Sequence, residues 1–159
     1  MVRPSFPPFF HPASLIATWF GCGLLPRIPG TWGSLAALPI AWFILVFAGS
    51  AGLLLAVVIV EAVGFWATAV YCARSGRHDP GQVVVDEVAG QWLALTPVSP
   101  DPLLFVLGFF LFRLADMAKV GPIRWIDRRM RGTPGIMLDD LAAGAAVAAT
   151  LYPMQLWVS

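Results

Sequence analysis

Charged side chains are scarce in this chain. Ten basic and nine acidic residues make up 12% of its 159 residues, about half of the roughly 25% found in soluble domains. They are also clustered, because residues 28–70 contain one charged side chain, Glu61, and residues 141–159 contain none. A soluble protein this apolar would need a larger interior than so short a chain encloses. The scarcity argues against a small soluble domain, and a net charge of +1 leaves no case for nucleic-acid binding.

Cysteine is scarce as well. Cys22 and Cys72 are the only two, and they lie far apart with no metal-type spacing, which favours free apolar thiols over a disulfide. Residues 1–12 are rich in proline and phenylalanine and lack a signal-type apolar core, so we expect no cleavable signal peptide.

Apolar residues are abundant, at 58% of the chain with a mean hydropathy of +0.78. Apolar runs between polar loops predict an all-α, polytopic membrane helical bundle, and the runs lack the alternation of a barrel. We expect one membrane-embedded domain over residues 1–159, with a short interfacial helix at 12–22. The expected spans are 35–48, 53–73, a short or re-entrant hairpin of 88–96 and 103–117, and 136–157.

The basic residues predict the orientation of these spans. Apart from Arg113, they lie before the first span, after the second, and between the hairpin and the last span, whereas the turns at 49–52 and 97–102 contain no Lys or Arg. The positive-inside rule makes the basic side cytoplasmic. Every acid except Glu61 and Asp101 falls on that side, which predicts an active site at the cytoplasmic edge.

Two acidic pairs, Asp86-Glu87 and Asp139-Asp140, stand where polar loops give way to apolar runs. Acids in a first helical turn can serve only as caps. Carboxylates near a bilayer are costly, however, and are expected to have partners. Mg²⁺ prefers such oxygens together with substrate phosphate, so all four acids are candidate metal ligands.

Arg113, Asp116 and Lys119 are spaced by three, which places them on one helix face if the helix persists. One interpretation is an internal ion pair. The other is that Asp116 joins the metal or orients Arg113, while the two basic side chains bind phosphate oxygens.

A glycine-rich loop at 21–34 leads into the first span and lacks the Walker pattern. Such loops are usually turns, but they can also present backbone N–H groups to anions. Arg27, Thr31 and Ser34 add the charge and hydroxyls that a phosphate site could use.

Two further polar positions have weaker functional interpretations. His78-Asp79 could supply an acid or base, although solvated loop residues are commoner. Glu61, in mid-span, should face another helix or be protonated.

Four blocks in order resemble the phosphatidylglycerophosphatase A family. The resemblance covers about residues 15–150. The blocks are Phe20–Pro26 with Pro29–Leu35 (Pro-Gly-Thr-Trp-Gly-Ser-Leu), Val85–Gly90 (Val-Asp-Glu-Val-Ala-Gly), Phe112–Asp116 (Phe-Arg-Leu-Ala-Asp) and Gly135–Asp140 (Gly-Ile-Met-Leu-Asp-Asp) with Ala143-Gly144.

The resemblance implies a multi-pass phosphatase of the bacterial inner membrane. It would hydrolyse phosphatidylglycerophosphate to phosphatidylglycerol and inorganic phosphate with Mg²⁺, in glycerophospholipid synthesis. Asp79, Asp116 and Arg113 are the expected catalytic residues, with Asp79 or Asp116 as a base. The expected phosphate-binding residues are Arg27, Thr31, Ser34 and Lys119. The expected metal ligands are Asp86, Glu87, Asp139 and Asp140.

The chain departs from the family at Lys119–Pro122 (Lys-Val-Gly-Pro) and at Gly132–Pro134 (Gly-Thr-Pro). These differences bear on the 117–135 loop more than on the chemistry. Direct water attack and a covalent aspartyl-phosphate both stay open. So do a non-catalytic membrane ion-binding or transport subunit and a phosphatase for another lipid phosphate, such as phosphatidate.

Overall fold

The helices of this protein are seen in a computed structural model that describes residues 5–118, 130 and 132–158. No β-strand occurs among these residues, which confirms the all-α prediction. The elements are α1 (Pro12–Ala17), a 3-10 helix (Cys22–Leu24), α2 (Pro29–Ser75), α3 (Val85–Leu95), α4 (Pro102–Ala118) and α5 (Thr133–Val158).

The long helix α2 folds back on itself at Gly49, which has a non-helical φ of 64° and ψ of −169°. A Cβ added to Gly33 would lie 2.8 Å from Val84, and one added to Gly64 would lie 3.0 Å from Val85. In a straight helix, residues 33 and 64 would be about 46 Å apart. Since both touch neighbouring residues, α2 is a hairpin whose two arms run side by side.

Within the described part of the chain, two helices, Pro29–Ser75 and Thr133–Trp157, are long and apolar enough to cross a membrane. Only 22% of the most apolar 18-residue stretch of α2 is buried against the rest of the protein. Phe43, Phe47 and Leu55 are more than half exposed. A core helix of a soluble protein would bury such residues. The expected spans fall within α2, α3, α4 and α5, and their passage across a membrane stays a prediction.

The expected interfacial helix at 12–22 is shorter in the structure. It ends at Ala17, because Trp19 and Phe20 have left-handed φ angles of 46° and 55° that no α-helix can contain. The backbone N–H of Val84 donates to the carbonyl of Ala17 at 2.8 Å, so this segment is tied to the residues just before α3.

The central helix α3 is buried along nearly its whole length and packs on α2 and α5. Its crossing with α5 is close. A Cβ on Gly144 would overlap the carbonyl oxygen of Gly90, and a Cβ on Gly90 would lie 2.6 Å from the carbonyl oxygen of Asp140. On the other side, the indole N–H of Trp92 donates to Ala37 of α2 at 2.9 Å. This packing leaves α3 little freedom to move.

We expect Gly144→Ala and Gly90→Ala to destabilise the protein by about 1–3 kcal/mol, because the added methyl groups would force α3 and α5 apart. In an unconstrained helix the same change would stabilise by about 0.5–1 kcal/mol. Unfolding in detergent micelles measures the difference. Gly81→Ala is the control, since nothing lies within 4 Å of its added Cβ. Unchanged or higher stability of Gly144→Ala would contradict the close crossing.

Candidate active site

Three carboxyl groups meet where α3 crosses α5. Asp86 lies one turn before Gly90 and Asp140 lies one turn before Gly144, so both acids are on the faces that approach each other. Asp86, Glu87 and Asp140 each place one carboxylate oxygen within 4.8 Å of the others. The crossing therefore forms a cluster of three acids that could hold a metal ion.

The two acidic pairs differ in their helical positions. Asp86 and Glu87 occupy the first turn of α3, where the helix dipole favours them. Asp139 and Asp140 lie well inside α5, which begins at Thr133, so capping does not explain them. The first member of each pair accepts a hydrogen bond from the next backbone N–H, at 3.0 Å for Asp86 and 3.1 Å for Asp139.

The first pair is protonated more easily than free carboxylic acids. Burial raises the pKa of Asp86 to about 6, and the charge of Asp139 adds to the rise, while hydrogen bonds with Glu87 oppose it. Burial and then the charge of Asp86 raise the pKa of Glu87 well above its usual range, and Arg113 lowers it in part. A cation among these acids would relieve both effects.

Arg113 links α4 to this cluster. One of its terminal nitrogens lies 2.9 Å from Asp116 and 3.9 Å from Oε1 of Glu87, and it donates to the Ser34 hydroxyl at 3.4 Å. Ser34 itself donates to the carbonyl of Gly30 at 3.0 Å. A Cβ on Gly30 would overlap Oε1 of Glu87. The start of α2 therefore provides the space and the hydroxyl that this arrangement requires.

A cavity of about 560 Å³ opens onto the acids. The loop between α2 and α3 contributes His78 and Asp79 to its wall, and both are exposed. Its other acidic lining residues are Asp86, Glu87, Asp116, Asp139 and Asp140. The cavity is large enough to admit a phosphorylated headgroup next to the carboxylates.

The sequence profile of the phosphatidylglycerophosphatase A family matches residues 15–155. The chain belongs to the phosphatidylglycerophosphatase A family. This confirms the resemblance found in the sequence. Membership in a lipid phosphatase family, together with the long apolar helices, makes this a membrane-associated protein. No solved structure matches the chain.

Several curated relatives are similar over most of their length. Phosphatidylglycerophosphatase A from Escherichia coli is 40% identical over 143 residues, covering 89% of this chain and 83% of the relative. The protein of that name from Haemophilus influenzae is 32% identical, covering 93% and 91%. A Bacteroides thetaiotaomicron protein named "Putative phosphatidylinositol-3-phosphatase" is 37% identical, covering 99% of both chains.

The structure places all six acids predicted for the site in the wall of the cavity and leaves other predicted site residues outside it. Asp139 lines the cavity, but it is not one of the three acids whose oxygens converge. Ser34 is fully buried beneath Arg113, and Thr31 does not line the cavity. Arg27 is exposed in a neighbouring cavity. The prediction for Lys119 lies outside the described residues.

The glycines that allow the acids to meet were not identified as site residues from the sequence. Gly144 packs against Gly90 of α3, since a Cβ on Gly144 would overlap the carbonyl oxygen of Gly90. The signal was present as an acid four residues before a glycine in each helix, Asp86 before Gly90 and Asp140 before Gly144. Neither spacing is informative alone, because only the crossing connects the two helices.

The residues at this site fit a divalent cation. Oε2 of Glu87 is buried without a hydrogen-bond partner. Within the described residues, Arg113 is the only base paired with this group of acids, and it also neutralises Asp116. Clustered buried carboxylates repel one another. A hard cation that takes carboxylate oxygens would relieve this repulsion and satisfy the unpartnered atom.

We expect the cation-free protein to lose stability as pH rises from about 4 to about 6, because the folded state holds protons on Asp86 and Glu87 more tightly than the unfolded chain does. Magnesium chloride should therefore raise the melting temperature more at about pH 7.5 than at about pH 5. Thermal unfolding in EDTA-treated detergent samples measures both effects. A double variant, Asp86→Asn with Glu87→Gln, should show both effects more weakly, and a pH-independent response of the unmodified protein would contradict the prediction.

Proposed function

We propose that this protein hydrolyses phosphatidylglycerophosphate to phosphatidylglycerol and inorganic phosphate in glycerophospholipid synthesis. The observation that carries the proposal is the convergence of Asp86, Glu87 and Asp140 at a cavity in a chain of the phosphatidylglycerophosphatase A family. Two relatives that bear this name cover most of the chain. Family and site together favour a phosphatase over a transport subunit.

We propose that Asp86, Glu87 and Asp140 hold Mg²⁺, with Asp139 beside them as a further candidate ligand. Their spacing and the unpartnered Oε2 of Glu87 support this assignment. When bound, the ion would neutralise phosphate charge and lower the pKa of a coordinated water.

The remaining polar residues have proposed roles in binding and proton transfer. In the hydrolysis, the oxygen of water bonds to phosphorus, the bond from phosphorus to the glycerol oxygen breaks, and that oxygen leaves with a proton. Asp79 and Asp116 both line the cavity, and either could take the proton that water loses. The ion pair with Arg113 at 2.9 Å fixes the position of the Asp116 carboxylate at the cavity wall.

Arg113 acts in this proposal mainly as a positioning residue. It lies behind Glu87 and Asp116 and is not among the residues that line the cavity. A direct contact with phosphate therefore stays a prediction. Its contacts with Glu87, Asp116 and Ser34 orient two cavity acids on different helices.

The protein is proposed to reside in the bacterial inner membrane as a multi-pass protein, with this cavity facing the cytoplasm and α1 at the interface. This orientation is supported by three basic residues near the two ends of the α2 hairpin, which lie on the same side as the cavity. They are Arg27, Arg74 and Arg77.

Asp86→Asn, Glu87→Gln and Asp140→Asn should each lower phosphate release by about 100-fold or more, because each removes a charged oxygen from the proposed metal site. Purified protein in mixed micelles is assayed with phosphatidylglycerophosphate, with magnesium or EDTA. Asp101→Asn is the matched control. Asp101 caps α4 through the backbone N–H of Leu104 at 2.9 Å, and asparagine caps equally well. Full activity of all three variants with normal folding would rule out this site.

The same assay tests the substrate class. The name of the Bacteroides relative makes phosphatidylinositol 3-phosphate a second candidate substrate, and phosphatidate is a third. Phosphatidylglycerophosphate should have the highest kcat/KM. A higher value for either other lipid would reassign the substrate, and no activity on any of them would favour a non-catalytic ion-binding or transport protein.

Arg113→Lys should lower kcat by about tenfold with a smaller change in KM, because lysine keeps the charge but its shorter side chain cannot place a nitrogen where it contacts both Asp116 and Ser34. Steady-state kinetics in micelles separate the two constants. A rise in KM alone would instead indicate that Arg113 binds substrate directly.

A further inference from the structure

A second cavity, of about 310 Å³, lies beside the acidic one. Pro29 and Gly81 line both cavities, so they are adjacent. Its only charged lining residues in the described part of the chain are Arg27 and Arg77, and no acid lines it there. Two neighbouring cavities thus have opposite charge, one acidic and one basic.

The two arginines are available to bind an anion. Both are exposed, and neither forms an ion pair within the described residues. The guanidinium of Arg77 lies 5.4 Å from the centre of the Phe6 ring, a cation–π contact that leaves its N–H groups free. Arg27 has a left-handed φ of 76°, which is uncommon for a residue with a side chain.

The same two segments contribute to both cavities. In the loop after α2, Arg77 lines the basic cavity, whereas His78 and Asp79 line the acidic one. At the start of α2, Arg27 lines the basic cavity and Gly30 the acidic one. Anions bound in the two cavities would therefore be separated by only a short distance.

Apolar residues flank the basic cavity on its other side. Leu24 and Leu25 line it and are about half exposed, and Ile28 next to Arg27 is also about half exposed. The order along the surface is thus exposed leucines, arginines and then acids. Exposed apolar residues beside arginines suit the boundary between acyl chains and headgroups.

The proposed substrate has the same order of groups. Phosphatidylglycerophosphate carries its acyl chains next to a phosphodiester, and a glycerol joins the phosphodiester to the terminal phosphomonoester. We propose that Arg27 and Arg77 bind the phosphodiester while the monoester enters the acidic cavity. This inference rests on the proposed function and assigns to it a second phosphate site that determines specificity.

Replacing either arginine should weaken substrate binding more than it slows the chemistry. We expect Arg27→Gln and Arg77→Gln each to raise the KM for phosphatidylglycerophosphate about three- to tenfold, with a smaller effect on kcat, since each removes a charge-assisted contact to a group that does not react. Arg74→Gln is the matched control, because Arg74 is exposed nearby and lines neither cavity. Arg27→Gly is a second variant that fits the left-handed backbone without strain, so it keeps the test valid if Arg27→Gln folds poorly.

Soluble inhibitors test whether binding of the second phosphate explains the higher KM of the arginine variants. The deacylated headgroup carries both phosphates, whereas glycerol 3-phosphate carries one. The unmodified protein should bind the first more tightly, and the double variant of Arg27 and Arg77 should lose this preference. Equal inhibition of the unmodified protein by both compounds, or an unchanged preference in the double variant, would overturn the inference.

The composition of the micelle distinguishes the substrate from the surrounding lipid. The rise in KM should appear in neutral detergent micelles that contain no other anionic lipid. A rise confined to micelles doped with phosphatidylglycerol would assign the arginines to the membrane surface and overturn the inference. If the unmodified protein releases no phosphate from phosphatidylglycerophosphate, the proposed function is wrong. If it hydrolyses this lipid normally and the arginine variants have an unchanged KM, only the second phosphate site is wrong.

Discussion

The close crossing of α3 and α5 is the constraint on which the site depends. Gly90 and Gly144 let the two backbones come nearer than any residue with a Cβ would allow. One turn before the glycines, the same approach brings Asp86 and Asp140 together. Packing and chemistry are therefore coupled, since a change that separates the helices also disperses the carboxylates. In a membrane, where close packing replaces the hydrophobic effect as the force between helices, such glycines stabilise the bundle as well.

Electrostatic repulsion is the cost of this arrangement. Burial above all, together with the charge of a neighbouring carboxylate, raises the pKa of Asp86 and of Glu87, and Arg113 offsets part of the rise at Glu87. The carboxylates that repel one another line the cavity, where a cation and a substrate phosphate can enter. Gly30 and Ser34 support the cluster from α2 by giving Glu87 space and Arg113 an acceptor. The glycine loop thus contacts side chains of the site, and an anion site formed by its backbone N–H groups stays a prediction.

Around the cavities, the surface changes from exposed leucines to arginines and then to acids. The same order of groups, apolar and then charged, occurs along a lipid that carries two phosphates. The relatives named for phosphatidylglycerophosphatase and for a phosphatidylinositol phosphatase align with most of this chain, and we expect substrate choice to depend on residues at the rim of the cavities. Among the residues at the rim, Arg27 and Arg77 are the strongest candidates for determining substrate choice.

The sequence by itself determined the all-α class, the apolar helices and the family, because hydropathy and ordered motifs are local properties of the chain. It also identified the acids, since carboxylates at the edges of apolar runs are conspicuous. Only the tertiary structure decided which of them converge: Asp86, Glu87 and Asp140 do, and Asp139 lines the same cavity. It also decided that Ser34 lies beneath Arg113 and that Arg27 shares a cavity with Arg77. These contacts involve residues far apart in the chain. They depend on how closely the helices approach and at what depth they cross, and no local sequence pattern contains that information.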